Sequence, residues 1–210
     1  MNAVDIITIS REYGAGGSDL ARALGTRLEW PVLDRNLVNL VAERLRCDLP
    51  TVEEMDEHPP TLSARFIANA LLIQPPELLY PVDIHNTLLD ADSIAQAARM
   101  VIEEAAQSPP LIVVGHGAQC LFRGRPGALH LRLVAPLEDR VRRLLPHRGN
   151  AAIFATQARQ MDDQRAAYVR RHFHTDVRDP LLYDLVINTG RVTIEAAVDV
   201  VSAAIASRAR

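Results

Sequence analysis

Residues 10–19 read Ser10-Arg11-Glu12-Tyr13-Gly14-Ala15-Gly16-Gly17-Ser18-Asp19. They lie between a β-branched run, Ile6-Ile7-Thr8-Ile9, and an amphipathic stretch carrying Leu20, Ala21, Leu24 and Leu28. Strand, glycine loop, helix is the arrangement of a phosphate-binding loop. The glycines let the backbone approach an anion closely, and the following helix offers free N–H groups and its positive dipole end. The alternative is a tight strand-to-helix turn with no ligand. A loop of the Gly-Lys-Ser/Thr type uses lysine on the β/γ-phosphates and the hydroxyl on magnesium. Here Gly17 stands where the lysine belongs and Ser18 where the hydroxyl belongs. The chain contains no lysine, and its 23 basic residues are all arginine. Phosphate chemistry would then run on arginine, backbone N–H groups and a metal ion.

Working outward, further strand and helix signals alternate. Pro31–Asp34 reads as a short strand ending on an acid, and Arg35–Arg46 as a helix. Residues 47–92 are looser, with Pro50, Pro59-Pro60, Pro75-Pro76 and Pro81 around one helical piece, and read as an inserted helical flap. Ser93–Gln107 is expected to be helical. Leu111–Gly115 is the clearest buried parallel strand. Leu129–Ala135 is a strand, Leu137–Leu145 a charged helix, Ala151–His172 a long arginine-rich helix, Leu185–Asn188 a last strand and Thr193–Arg208 a last helix. The alternation predicts a parallel α/β sheet covered on both faces. Ligands in such sheets bind at the carboxyl ends of strands, where Gly14–Ser18, Asp34, His116 and Asn188 all fall.

Composition narrows the function classes. At 210 residues the chain is one domain of ordinary size, with 48% hydrophobic residues to build a core. A net charge of −3 with mixed signs does not point to nucleic acid. Aromatics at 4% argue against a stacking platform. Cys47 and Cys120 lack metal or redox spacing, consistent with a reduced cytoplasmic protein. No apolar run reaches the ~18 residues of a membrane span.

The stretch ITISREYGAGGSDLARALGTRLEWPVLDRNLV resembles the N-terminus of the cytidylate kinase-like proteins. LIVVGHGAQCLFRGRPGALHLRLVAPLEDRVRRL and MDDQRAAYVRRHFHTDVRDPLLYDLVINTG resemble later parts of that family in the same order. The resemblance implies a three-layer P-loop NTPase fold of the nucleoside monophosphate kinase type. It has a five-stranded parallel sheet, a helical insert at 47–92 on the acceptor side and a lid at 150–178. It implies phosphoryl transfer from ATP, with Mg2+, to a nucleoside monophosphate, CMP or dCMP first. The alternatives are a nucleotide-binding regulatory protein with little kinase activity, or a kinase for another small acceptor. Gly14, Ala15, Gly16, Gly17 and Ser18 match the phosphate loop, with Ser18 on the metal. Asp19 lies where true cytidylate kinases place threonine. Asp34 matches an acid of the acceptor site, and His116 stands where the family often has arginine. Arg159, Asp162 and Arg165 resemble the lid pattern, with Arg159 and Arg165 expected to close over the transferred group. Nucleotide substrates are the expected partners, without nucleic acid or membrane, and a homodimer is left open.

Other readings come from the residues alone. Arg11 could supply the missing cation, or pair with Glu12 or Asp19. Arg159 and Asp162 are three apart and share a helix face, and Arg165, Arg170 and Arg171 continue a basic surface. That pattern fits a lid of arginine forks on phosphate oxygens, or a solvated charged helix. His172-x-His174-x-Asp176 converges on a metal only if extended, and otherwise is an exposed loop. The acidic run Glu53-Glu54 and Asp56-Glu57 reads as a helix start or a solvated face.

Overall fold

The computed structural model describes residues 3–34, 36–45, 91–145 and 150–208. The chain divides into two compact units, residues 1–36 with 102–210, and residues 37–101. The first unit holds the sheet. Strand β1 (Ile6–Arg11) runs into the glycine loop and helix α1 (Gly17–Leu28), and β2 (Val32–Leu33) follows. After the second unit come β3 (Leu111–Val114), α4 (Ala118–Leu121), β4 (Ala128–Val134), α5 (Leu137–Leu144), α6 (Ala151–Phe173), β5 (Leu185–Asn188) and α7 (Ile194–Arg208). A single 3₁₀ turn, Pro180–Leu182, precedes β5.

All strand pairs are parallel and the order is β2-β3-β1-β4-β5. β1 is central, with Ile6 in register with Leu111 on one side and Ala128 on the other. The chain leaves β1 for one half of the sheet and later crosses to the other. The carboxyl end of β1 is therefore a topological switch point, where ligands of open α/β sheets bind.

The two faces of the sheet differ. Ile7, Ile9, Leu129, Leu131 and Leu133 point to one side and pack with Leu20, Leu24, Ala197, Val198 and Val201 from α1 and α7. This is the expected apolar burial of a parallel sheet. The alternate residues Thr8, Ser10 and Arg132 are also buried, yet polar. Thr8 Oγ1 lies 2.8 Å from His130 Nδ1, and Arg132 donates to Ser10 Oγ at 3.0 Å. The Tyr183 hydroxyl lies 3.2 Å from Ser10 Oγ and donates to Val177 O at 2.7 Å, with the Arg132 guanidinium over its ring. Burial pushes the His130 pKa down, opposed by the Asp184 carboxylate, and pushes Tyr183 up, opposed by its bond to Ser10.

The expected elements of this unit are present with ends within a residue or two. The short α4 was not legible, because four residues carry no helical period. In the second unit, α2 (Asn36–Leu45) buries Leu37 and Val41, one turn apart. Helix α3 (Ala91–Ala105), whose residues 91–101 belong to this unit, buries there Ile94, Ala97, Ala98 and Val101, the stripe of an amphipathic helix. The flap expected at 47–92, with its acidic run, lies outside the described residues apart from Ala91 and Asp92. No described helix is long and apolar enough to cross a membrane.

Candidate functional site

Residues 12–16 leave β1 by extending its pairing with β4. Glu12 N donates to Leu133 O at 3.0 Å, and Glu12 Oε2 accepts from Ala135 N at 3.0 Å. Gly14 and Gly16 take φ of 76° and 83°, left-handed values that cost a side chain roughly 1–2 kcal/mol. Those two turns reverse the chain into α1.

The loop's carbonyls are held from outside. Arg165 donates to Arg11 O at 3.2 Å, Arg140 to Tyr13 O at 3.2 Å and Arg143 to Gly14 O at 3.2 Å. The Thr189 hydroxyl donates to Ala15 O at 2.8 Å. Arg143 also donates to Thr189 Oγ1 at 3.1 Å and to Thr189 O. Asp162 accepts from Tyr13 N at 2.8 Å and from Arg140 at 2.5 Å. These bonds occupy the carbonyls of Arg11, Tyr13, Gly14 and Ala15. Gly16 caps α1 without a side-chain cap bond, and the first N–H groups of a helix have no intrahelical acceptor. The result is a cradle of N–H dipoles at the positive end of α1, suited to an anion.

The charges around the cradle are arranged unevenly. Arg140 is 9% exposed and sits between two acids, Asp162 and Glu12, the latter at 3.7 Å. Arg143 bonds neutral acceptors alone among the described residues, so its charge stays available at the rim. Arg165 stacks over the Tyr13 ring with 5.6 Å between guanidinium and centroid. Beside Arg143 and Thr189 lies an open surface depression of about 250 Å³, lined also by Asp139, Arg142 and Gly190.

On the side of β2 and β3, the Arg11 guanidinium lies 3.8 Å from Asp34 Oδ1, and both side chains are about one-fifth exposed. The sequence alternatives for Arg11 were Glu12 and Asp19. The structure gives Asp34 instead, because Glu12 is engaged by Arg140 and Asp19 pairs with Arg22 at 3.3 Å on the exposed face of α1. A Cβ built on Gly17 would lie 2.7 Å from Arg11 Cγ, and one on Gly115 would lie 1.9 Å from Arg11 Nη1. The Arg11 side chain thus runs from above Gly17 to Gly115 and Asp34. His116 has φ of 52° between Gly115 and Gly117, which are also left-handed. Such strain in a non-glycine residue concentrates at functional sites. Its ring meets Tyr168 edge-on at 6.4 Å, and Tyr168 stacks on His172 at 4.6 Å.

The structure therefore brings together Gly14, Ala15, Gly16, Gly17, Arg11, Arg165 and Asp34, with His116 one residue beyond Gly115. Ser18 is half-buried in the first turn of α1. Arg159 is exposed and makes no hydrogen bond or ion pair among the described residues. Asp162, read from sequence as lid, clamps the loop. His172 is helical, His174 caps α6 in a left-handed conformation, and Asp176 Oδ1 accepts from Arg178 N at 2.9 Å, so this trio is not extended. No cluster of three His, Cys, Asp or Glu residues able to hold a metal occurs among the described residues. A magnesium ion on nucleotide phosphates fits this donor set even so, since Mg2+ keeps waters and phosphate oxygens and asks one or two ligands of the protein. The Ser18 hydroxyl is the candidate.

Sequence reasoning missed Arg140, Arg143 and Thr189. The first two stand three apart on α5 and share a face. Arg140 is buried among the Leu137, Val141 and Leu144 positions, a basic residue in an apolar stripe. Thr189, directly after β5, had only its strand-end position to mark it.

The family model of the cytidylate kinase-like family matches residues 6–191. Among curated proteins, none matches the chain. Of solved structures, an uncharacterized protein from Eubacterium ventriosum ATCC 27560 superposes with a TM-score of 0.69 at 18% identity, over 96% of this chain and 98% of that one. Shikimate kinase from Bacteroides thetaiotaomicron gives 0.53 at 14% identity, over 97% and 99%. Shikimate kinase from Acinetobacter baumannii, in complex with shikimate, gives 0.53 at 14% identity, over 97% and 94%. These likenesses establish a shared fold, the five-stranded parallel α/β sheet of the P-loop kinases.

Proposed function

The chain belongs to the cytidylate kinase-like family, and from that premise we propose that it transfers the terminal phosphoryl group of ATP to a nucleoside monophosphate, CMP or dCMP first. The observation that carries this reading is the cradle at Gly14–Ser18. Within it the Gly14 carbonyl accepts from Arg143 and the Ala15 carbonyl from Thr189, and the loop leads into the N-terminus of α1, whose first N–H groups have no intrahelical acceptor.

In this reading Gly14–Ser18 and the first turn of α1 hold the donor phosphates, with Asp19 at the edge of that turn. The Ser18 hydroxyl would hold a magnesium ion, which would supply positive charge against the donor phosphates. The depression beside Arg143 and Gly190 takes the rest of the donor nucleotide. Asp34 and His116 orient the acceptor at the ends of β2 and β3. Arg165 is already against the loop and stabilises charge on the transferred group, where a guanidinium fork is worth several kcal/mol. Arg159 joins it when α6 moves on nucleotide binding, which makes 150–178 a lid.

A second reading, a nucleotide-binding regulatory protein with little turnover, is favoured by Gly17, which removes the loop lysine. The two separate in one experiment. Purified protein with ATP–Mg2+ is screened for transfer against all nucleoside monophosphates and a set of small hydroxylated acids, with ATP binding measured alongside. Transfer to CMP or dCMP is the expected outcome. Transfer to a hydroxylated acid alone would replace the acceptor, and binding without transfer to any acceptor would leave the regulatory reading.

A further inference from the structure

We propose that Arg11 is the displaced counterpart of the missing loop lysine: it reaches the donor's terminal phosphates from the strand end, and Gly17 is glycine because Arg11 occupies the space in which a side chain at 17 would begin. This deepens the phosphoryl-transfer reading and rests on it.

Three observations converge. First, the stem of Arg11 lies directly over Gly17. A Cβ at 17 would meet Arg11 Cγ at 2.7 Å, Cβ at 2.9 Å and Cδ at 3.2 Å. Real Cβ atoms do not approach carbon that closely, so a side chain at 17 requires the Arg11 stem to leave the position it holds. Gly17 opens α1 with no positive φ, so its backbone does not require glycine. The steric reason is Arg11 itself.

Second, the guanidinium lands at the junction of donor and acceptor elements. Its Nη1 is 1.9 Å from a Cβ built on Gly115, and its Nη2 is 3.8 Å from Asp34 Oδ1. One side chain thus spans the phosphate loop, the end of β2 and the end of β3. The transferred group must pass between donor loop and acceptor, so a cation here meets the charge that develops in transit.

Third, the position is held. Arg11 O accepts from Arg165 at 3.2 Å, and both Arg11 and Asp34 are about four-fifths buried. Arginine is always charged and offers donors in a rigid fork. At 3.8 Å the Asp34 contact is longer than a hydrogen bond.

The test moves the cation. Arg11→Ala, Gly17→Lys and the double variant are compared with the unaltered protein in transfer from ATP–Mg2+ to CMP and in affinity for ATP and AMP. Arg11→Ala is expected to lower turnover about 10²- to 10³-fold, the scale of one lost charge-stabilising donor. It should weaken ATP about tenfold or more while AMP, which lacks the terminal phosphates, changes little. Gly17→Lys alone should destabilise the fold through the clash with Arg11. The double variant should fold and regain at least about tenfold of the turnover lost in Arg11→Ala, since the lysine then has both space and position. Turnover and ATP affinity of Arg11→Ala within about threefold of the unaltered protein would overturn the proposal, as would a double variant no better than Arg11→Ala. If the unaltered protein transfers phosphate to no acceptor, the transfer reading fails by itself. The Arg11 assignment is then decided by ATP against AMP affinity, where an equal change in both would overturn it.

Discussion

At the residue scale, the site works by tying polar groups that would otherwise compete with the ligand. Thr189 shows this in one side chain: its hydroxyl donates to Ala15 O and receives Arg143. Thr189→Val keeps the shape and removes both bonds, leaving Ala15 O without that donor. The expected cost is about 1–3 kcal/mol of stability, read by urea unfolding, together with weaker ATP binding. Unchanged stability and affinity would show that the carbonyl does not need the hydroxyl. The Arg140–Asp162 pair is the more demanding case, because Arg140 is 9% exposed. Asp162→Ala leaves a buried guanidinium with Glu12 at 3.7 Å as its remaining carboxylate and the Tyr13 carbonyl at 3.2 Å. A loss of about 3 kcal/mol is expected by denaturant titration, and a loss below about 0.5 kcal/mol would mean water replaces the carboxylate. The sequence marked Gly14–Ser18, Arg11 and Asp34 because glycine spacing and strand-end acids are local signals. It did not mark Arg140, Arg143 or Thr189, whose roles depend on α5 and β5 being brought to the loop by the sheet order. It left Arg11 open between supplying a cation and pairing with Glu12 or Asp19, whereas the acid beside it in the structure is Asp34, which follows β2.

At the element scale, α1 carries the load of both core and cradle. Leu24 is fully buried in the cluster between α1, the sheet and α7. Leu24→Ala is expected to cost roughly 2–5 kcal/mol by cavity formation, and because α1 aims its N-terminus at the ligand, ATP affinity should fall too. A variant less stable yet with unaltered ATP affinity would separate core from cradle. Helix α6 is the element expected to change on binding. It holds Asp162 and Arg165 against the loop, while Arg159 stays exposed. Hydrogen exchange in 150–178 should slow with ATP–Mg2+, and equal exchange with and without nucleotide would remove the lid role. The long elements were legible because apolar periods of 3.6 and unbroken β-branched runs survive in the chain. Helix α4 was not, being a single turn between glycines.

At the scale of the whole molecule, the sheet has one apolar face and one polar row running beneath the loop, from Thr8 and His130 to Ser10, Arg132 and Tyr183. The sequence showed Thr8, Ser10, His130 and Arg132 in strands but not that strand pairing sets them side by side. This row gives the fold a pH dependence. Burial lowers the His130 pKa from its usual value near 6.5, so the unfolded chain takes up the proton first as pH falls. Stability is therefore retained above about pH 6.5 and declines below it, towards the lower folded-state value. His130→Asn should flatten the difference between urea midpoints at pH 7.5 and 5.5, and an undiminished difference would place the dependence elsewhere. At the other end of the same strands β1 delivers its loop to the switch point. A crystal structure with ADP and Mg2+ tests phosphate binding there most directly. The β-phosphate is expected within hydrogen-bond distance of the N–H groups of Gly16, Gly17 and Ser18, with the Arg11 guanidinium turned towards the space beyond it. A nucleotide bound elsewhere, with the loop N–H groups facing solvent, would contradict it.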